Sequence, residues 1–267
     1  MSAAVAEHLA QWRDLGWVRF GSDPAISGWL EYATPVAGAL STDETQRDLW
    51  LRHGGTWFAG VNILPNDVEG RVGGSGPLSG AAVDFVRAHL VEDPNWDKAQ
   101  ISVVYPGYPR QDPGESDAAA RFRRDRDAAH VDGLLPVGAE RRRMLREPHG
   151  FVLGLPMSET DADASPLVVW EGSHRMMQSA FRTRLKDIEP CDWPETDLTE
   201  TYHAARRTCF ETCPRRILHA RPGEAYLIHR LALHGVAPWQ PGAKAPPEGR
   251  MIAYFRPELA DTADWLS

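Results

Sequence analysis

Ile101-Ser102-Val103-Val104-Tyr105, closed by Pro106-Gly107, is where the character of this chain changes. β-Branched and aromatic residues suit a pleated, half-buried surface, and Pro-Gly ends such a run in a turn. Comparable apolar runs follow at Gly150 to Pro156, Pro166 to Trp170, Glu224 to His229 and Met251 to Phe255. Short strands separated by loops of uneven length predict a barrel or jelly roll. Towards the N-terminus the pattern is different. Val5, Leu9 and Trp12 recur at helical spacing. Gly16 to Phe20 reads as a short strand, and Asp23-Pro24 as a helix start, with Pro where its missing N–H costs nothing. Asp43 to Arg52 and Ser79 to Leu90 read as further helices.

Of the 267 residues 42% are hydrophobic, enough for a real core, and no apolar run approaches membrane-spanning length. Met1 to Leu15 lacks the charged and apolar regions of a secretion signal. A net charge of −8 disfavours nucleic acid as a partner, since phosphate binding shows as a basic excess. Cys191, Cys209 and Cys213 are too few and unpaired in spacing for a disulfide framework, so the cytoplasm is the expected compartment. Two long loops are expected, Pro106 to Ala128 and Leu134 to Glu147. Residues 110–146 hold nine Arg against seven acids, which fits a solvated, salt-bridged surface. The alternative is an Arg-lined mouth for an anionic small-molecule substrate.

His130-Val131-Asp132 lies between these loops. In an extended strand residues i and i+2 share a face, so the pair places an imidazole beside a carboxylate. A spacing this short also arises by chance. Two later stretches add to it. Pro166-Leu167-Val168-Val169-Trp170-Glu171-Gly172-Ser173-His174 resembles the strand and Gly-Ser-His turn of the phytanoyl-CoA dioxygenase family. Gly223 to Gly235, ending in Leu233-His234-Gly235, resembles that family's later "GD…H…HG" stretch. The resemblance covers residues 99–257. It departs at Glu171, where the family usually has Pro, and at Val236, where a Ser or Thr often helps to hold the cosubstrate.

The resemblance implies a double-stranded β-helix (a jelly-roll, cupin-like core) with flanking α structure in a single domain, 1–267. Residues 1–98 would be mainly helical, 99–257 the core and 258–267 a C-terminal tail. It implies His130, Asp132 and His234 as ligands of Fe(II), with His229 the competitor for the third place and His174 structural. Two His and one carboxylate leave three cis positions open, as non-haem iron oxygenases require. Arg250 would anchor the distal carboxylate of 2-oxoglutarate through a bidentate pair, with Arg256 its competitor. Ser102 or Tyr105 would supply the hydrogen bond that Val236 does not. The expected activity is Fe(II)-, O2- and 2-oxoglutarate-dependent dioxygenation, with hydroxylation of a small molecule and release of succinate and CO2. Asp132 argues against halogenation, which needs the carboxylate position vacant. The alternatives are a jelly-roll binding protein without turnover and a cupin-like metalloenzyme that uses no keto acid.

Overall fold

The five apolar runs all become strands, and their pairing with further strands builds two facing sheets. The computed structural model describes residues 3–267. Seven strands make the large sheet: β1 (Trp17–Phe20), β2 (Leu51–Arg52), β3 (Trp57–Gly60), β4 (Gln100–Val104), β7 (Phe151–Pro156), β10 (Ala225–His229) and β12 (Arg250–Phe255). Their order is β1-β10-β7-β12-β4-β3-β2, with antiparallel pairing between all neighbours. The small sheet has the order β11-β8-β9, from β8 (Leu167–Trp170), β9 (Arg215–Leu218) and β11 (His234–Val236). An isolated bridge pairs His130 with His234 on the free edge of β11. From β4 to β12 the chain alternates between the sheets, passing through the His130 bridge, except that β8 and β9 follow one another within the small sheet. This is the double-stranded β-helix.

Alternate residues of the large sheet serve two cores, as the period of a strand demands. Ile101, Val103, Leu153, Leu227, Met251 and Phe255 pack on the helical layer with Ile26, Trp29 and Val83. That layer comprises α1 (Ala3–Leu15), α2 (Pro24–Thr42), α3 (Glu44–Trp50) and α4 (Ala81–His89). Asp23 caps α2 through Ala25 N, with Pro24 in the first turn. The opposite set, Val152, Tyr226, Ile228, Ile252 and Tyr254, fills the space between the sheets with Leu167, Val169 and Leu218.

Three features depart from the sequence reading. The first hundred residues, besides their helices and the expected strand β1 on one edge of the large sheet, add β2 and β3 to the other. The expected loops carry structure: α5 (Asp117–Asp125) lies in the first, and β5 (Leu134–Val137) pairs with β6 (Arg142–Leu145) in the second. Between β8 and β9 run α6 (Ser173–Leu185) and α7 (Thr199–Thr212), over a third core that includes Phe181, Trp193 and Tyr202. Trp265 and Leu266 are buried in this core too, so the C-terminal segment is docked. No helix is long and apolar enough to cross a membrane among the described residues.

Candidate metal centre

Backbone pairing places the two candidate histidines side by side. His130 N donates to His234 O at 2.8 Å and His234 N donates to His130 O at 3.0 Å. Directly opposed residues of an antiparallel pair share a face, and the ring centroids lie 4.7 Å apart. Gly235 permits the approach. A Cβ there would lie 2.1 Å from Asp127 O and 3.1 Å from Ala129 Cα. Asp127 and Ala128 both adopt left-handed backbone, at φ 54° and 52°, immediately before the bridge. Such residues persist only where the surroundings hold them. Arg215 does so by clasping the buried Asp127 carboxylate at 2.7 and 2.9 Å, and Val236 N donates to Asp127 O.

The turn aims a carbonyl at the first ligand. His130 Nδ1 lies 3.0 Å from Ala128 O, and His234 Nδ1 lies 2.9 Å from Ala232 O. A carbonyl only accepts, so each Nδ1 carries the proton. In the neutral ring Nε2 is then a lone pair, the form a metal takes, and such partners orient metal-binding histidines. Both Nε2 atoms face one oxygen. His130 Nε2 is 3.1 Å and His234 Nε2 3.8 Å from Asp132 Oδ1. The ligand atoms of all three residues lie within 4.8 Å of one another. Ligands at right angles about 2.1 Å from an ion would be about 3 Å apart, so the set needs only a slight contraction to hold one. Two lone pairs against a carboxylate are repulsive unless a cation, proton or metal, sits among them.

The charges respond accordingly. Burial opposes ionisation of Asp132, but His234, His130 and Arg256 overcome it and hold the carboxyl well below its usual range. Burial works against a proton on His130, yet the hydrogen bond and charge of Asp132 raise its pKa. Burial lowers that of His234. Only the His130 side chain is half open, to a cavity of about 240 Å³ above the three residues.

The remaining candidates divide by strand parity. Arg250 starts β12 on the same face as Ile252, between the sheets, and is 5% exposed. Its guanidinium lies beside the Tyr226 hydroxyl, which in turn donates to Tyr254 at 3.1 Å. Its Nη1 is buried and has no hydrogen-bond partner. A buried guanidinium with an orphaned nitrogen is complementary to an anion. Ser102 pairs with Ile252 across β4 and β12, so it faces the same space. It accepts from the Trp57 indole at 3.0 Å, which leaves its own proton to donate. Tyr105 is not brought to this group. It packs against the helical-layer core, under Arg47. Arg256, just past β12, reaches the candidate centre, with Nη1 3.8 Å from Asp132.

His229 faces away from the centre, packed between Trp12 and His174. Its Nδ1 accepts Leu231 N, and burial lowers its pKa strongly. His174 contacts Arg13 O in the same layer. In a second grouping, His53, Asp112 and Glu115, the carboxylates are already engaged: Asp112 accepts His53 N and Gly54 N, and Glu115 is paired with Arg123. The sequence reading missed the far wall of the cavity, where Tyr202 and Arg206 of α7 meet Arg143 of β6. The i, i+4 spacing of Tyr202 and Arg206 was its one local signal.

No protein-family model matches the chain, and no curated protein matches it. Solved structures do. The epimerase SnoN from nogalamycin biosynthesis, described as non-heme and alpha ketoglutarate dependent, aligns with 96% of this chain and 81% of its own. Its identity is 12% and its TM-score 0.47. AviO1 from Streptomyces viridochromogenes Tue57 covers 98% of both chains at 14% identity and a TM-score of 0.49. EctD from S. alaskensis, solved with 2-oxoglutarate and 5-hydroxyectoine, covers 97% and 76% at 14% identity and a TM-score of 0.46.

Proposed function

We propose that this protein is an Fe(II)- and 2-oxoglutarate-dependent oxygenase that hydroxylates a small molecule. The observation that carries the reading is the pairing of two features on one β-helix. His130, Asp132 and His234 converge at one end, and the orphaned Arg250 guanidinium waits between the sheets. A metal alone explains the first but not the second. A dicarboxylate that chelates the metal and reaches inwards explains both.

In this reading His130 and His234 bind iron through Nε2, and Asp132 through its carboxylate. The Ala128 and Ala232 carbonyls fix both rings. Arg250 takes the distal carboxylate of 2-oxoglutarate, and Ser102 offers the hydroxyl that Val236 lacks. Iron with 2-oxoglutarate and O2 supplies the oxidation, with succinate and CO2 as co-products. The chain's own part is to position the target carbon in the cavity above His130 and keep water out.

The test is anaerobic titration of the Fe(II) protein with 2-oxoglutarate, read by the visible charge-transfer absorption of the chelate. Arg250→Ala should weaken 2-oxoglutarate binding by roughly tenfold to a hundredfold, the equivalent of about 1.5–3 kcal/mol for a charge-assisted contact. Iron affinity should be unchanged. Arg256→Ala should disturb iron binding instead, through Asp132. No absorption in the wild type, or no loss in Arg250→Ala, would favour a cupin-like metalloenzyme without a keto acid.

A further inference from the structure

The cavity above the metal centre has a chemical bias that the metal ligands do not use. Arg143 of β6, Arg206 of α7 and Arg256 just past β12 all line it. Its carboxylates are Asp132 and Glu147. Asp132 is the candidate ligand, and Glu147 is already paired with His149 at 3.1 Å. Arg256 leans on Asp132. Arg143 and Arg206 are left over.

Neither of these two has a carboxylate partner among the described residues. Arg143 makes one weak contact, from Nη1 to Leu134 O at 3.3 Å. It is half-buried, and burial together with the like charges of Arg206 and Arg141 lowers its pKa. Arg206 is held by aromatic faces, 4.6 Å from the Phe122 ring centroid and 5.0 Å from that of Tyr202. Stacking of this kind fixes a guanidinium plane while leaving its N–H edge free. Two guanidinium groups in mutual repulsion, held in position and short of counter-charge, are arranged for an oxyanion that bonds to both.

We propose that Arg143 and Arg206 form the substrate-recognition site, and that the substrate carries a carboxylate or phosphate group seated between them. The group that reacts then lies towards His130. The cavity's 240 Å³ is below the roughly 300–1,000 Å³ of pockets that take drug-sized ligands, so the substrate is small. The word "substrate" rests on the oxygenase reading; the oxyanion site does not.

Calorimetry on the metal-free protein tests the site by itself, with benzoate and phenyl phosphate as charged probes and benzamide as the neutral isostere. A charged probe should bind at least about tenfold more tightly than benzamide, and more weakly as salt is raised. Preference for benzoate points to a carboxylate substrate and preference for phenyl phosphate to a phosphate ester. Arg143→Gln and Arg206→Gln should each remove most of the difference, and Arg206→Lys should keep part of it. If either Gln variant fails to fold, the wild-type comparison still decides. In Mn(II)-loaded protein the bound probe's proton resonances should broaden relative to the Zn(II) form, which places it beside the centre. Equal binding of charged and neutral probes overturns the proposal, as does charge preference untouched by both variants. Loss of the broadening with calorimetric binding intact would instead count against the metal centre, so the two readings fail separately.

Discussion

At the scale of single residues the candidate metal centre is a problem in protons. Asp132 is ionised whether or not a metal is present, because the imidazoles and Arg256 outweigh its burial. His234 is neutral near pH 7, because burial lowers its pKa. His130 alone is pushed upwards, by Asp132. Metal ligation requires neutral histidines, so binding must expel whatever proton His130 holds. The sign follows. Below the raised pKa of His130 the metal displaces about one proton, and apparent affinity falls as pH falls; above it, no proton is displaced. Zn(II) titrations in buffers of different ionisation enthalpy measure the count. Near pH 6 we expect about one proton, against about two if both rings began protonated. A count near zero at that pH would mean His130 is neutral in the metal-free protein, contrary to this account.

At the scale of elements, the bridge between the His130 segment and β11 makes the site. Its side-by-side imidazoles require the two backbones to close, and Gly235 is the residue that lets them. Gly235→Ala should therefore part the bridge. The methyl would meet backbone, Asp127 O and Ala129 Cα, neither of which can rotate aside. A loss of about 1–3 kcal/mol in stability is expected, as for overpacking, with a far greater loss of metal affinity. Denaturant melts with and without Zn(II) separate the two effects. Unchanged metal binding would show that the bridge is not needed. This is also the level at which the sequence was most and least informative. The strand runs read at 101–105, 150–156, 166–170, 224–229 and 251–255 were legible to within a residue at each end, because β-branched residues and turn residues act locally. His130 and Asp132 were expected on one extended strand, but only His130 is bridged and Asp132 reaches the site from the turn that follows. Of the two alternatives Ser102 and Tyr105, only Ser102 faces between the sheets, because Tyr105 has the opposite parity. Arg256, the competitor of Arg250, reaches Asp132 instead, because a long side chain extends well beyond its own place on the chain. The pairing of β1 with β10 and of β3 with β4, and the wall formed by α7, were not legible. They depend on contacts between segments far apart in sequence, such as Trp17 with Ile228.

At the scale of the whole molecule, the centre lies where independent parts of the architecture meet, and none of them depends on it. The three hydrophobic cores contain neither His130, Asp132 nor His234. Asp132 belongs to a chain of charges that would survive its loss, since Arg256 also feels Asp97 and Glu147. The Asp97 carboxylate also accepts from the Arg256 backbone N at 2.8 Å. Replacing Asp132 by Ala should thus change the stability of the metal-free protein by less than about 1 kcal/mol, the range for polar sites outside a core. A bound metal, in contrast, ties the 130–132 segment to β11 and stabilises only the folded state. At a hundredfold excess over its Kd the gain is about 2.7 kcal/mol, or about 5–10 °C in Tm for a chain of this size. The wild type should show that rise with Zn(II) and lose it on chelation. Asp132→Ala should melt where the metal-free wild type melts and rise little with metal. A variant that melts several degrees lower without metal would make Asp132 a structural residue. A variant that keeps the full rise would remove it from the ligand set.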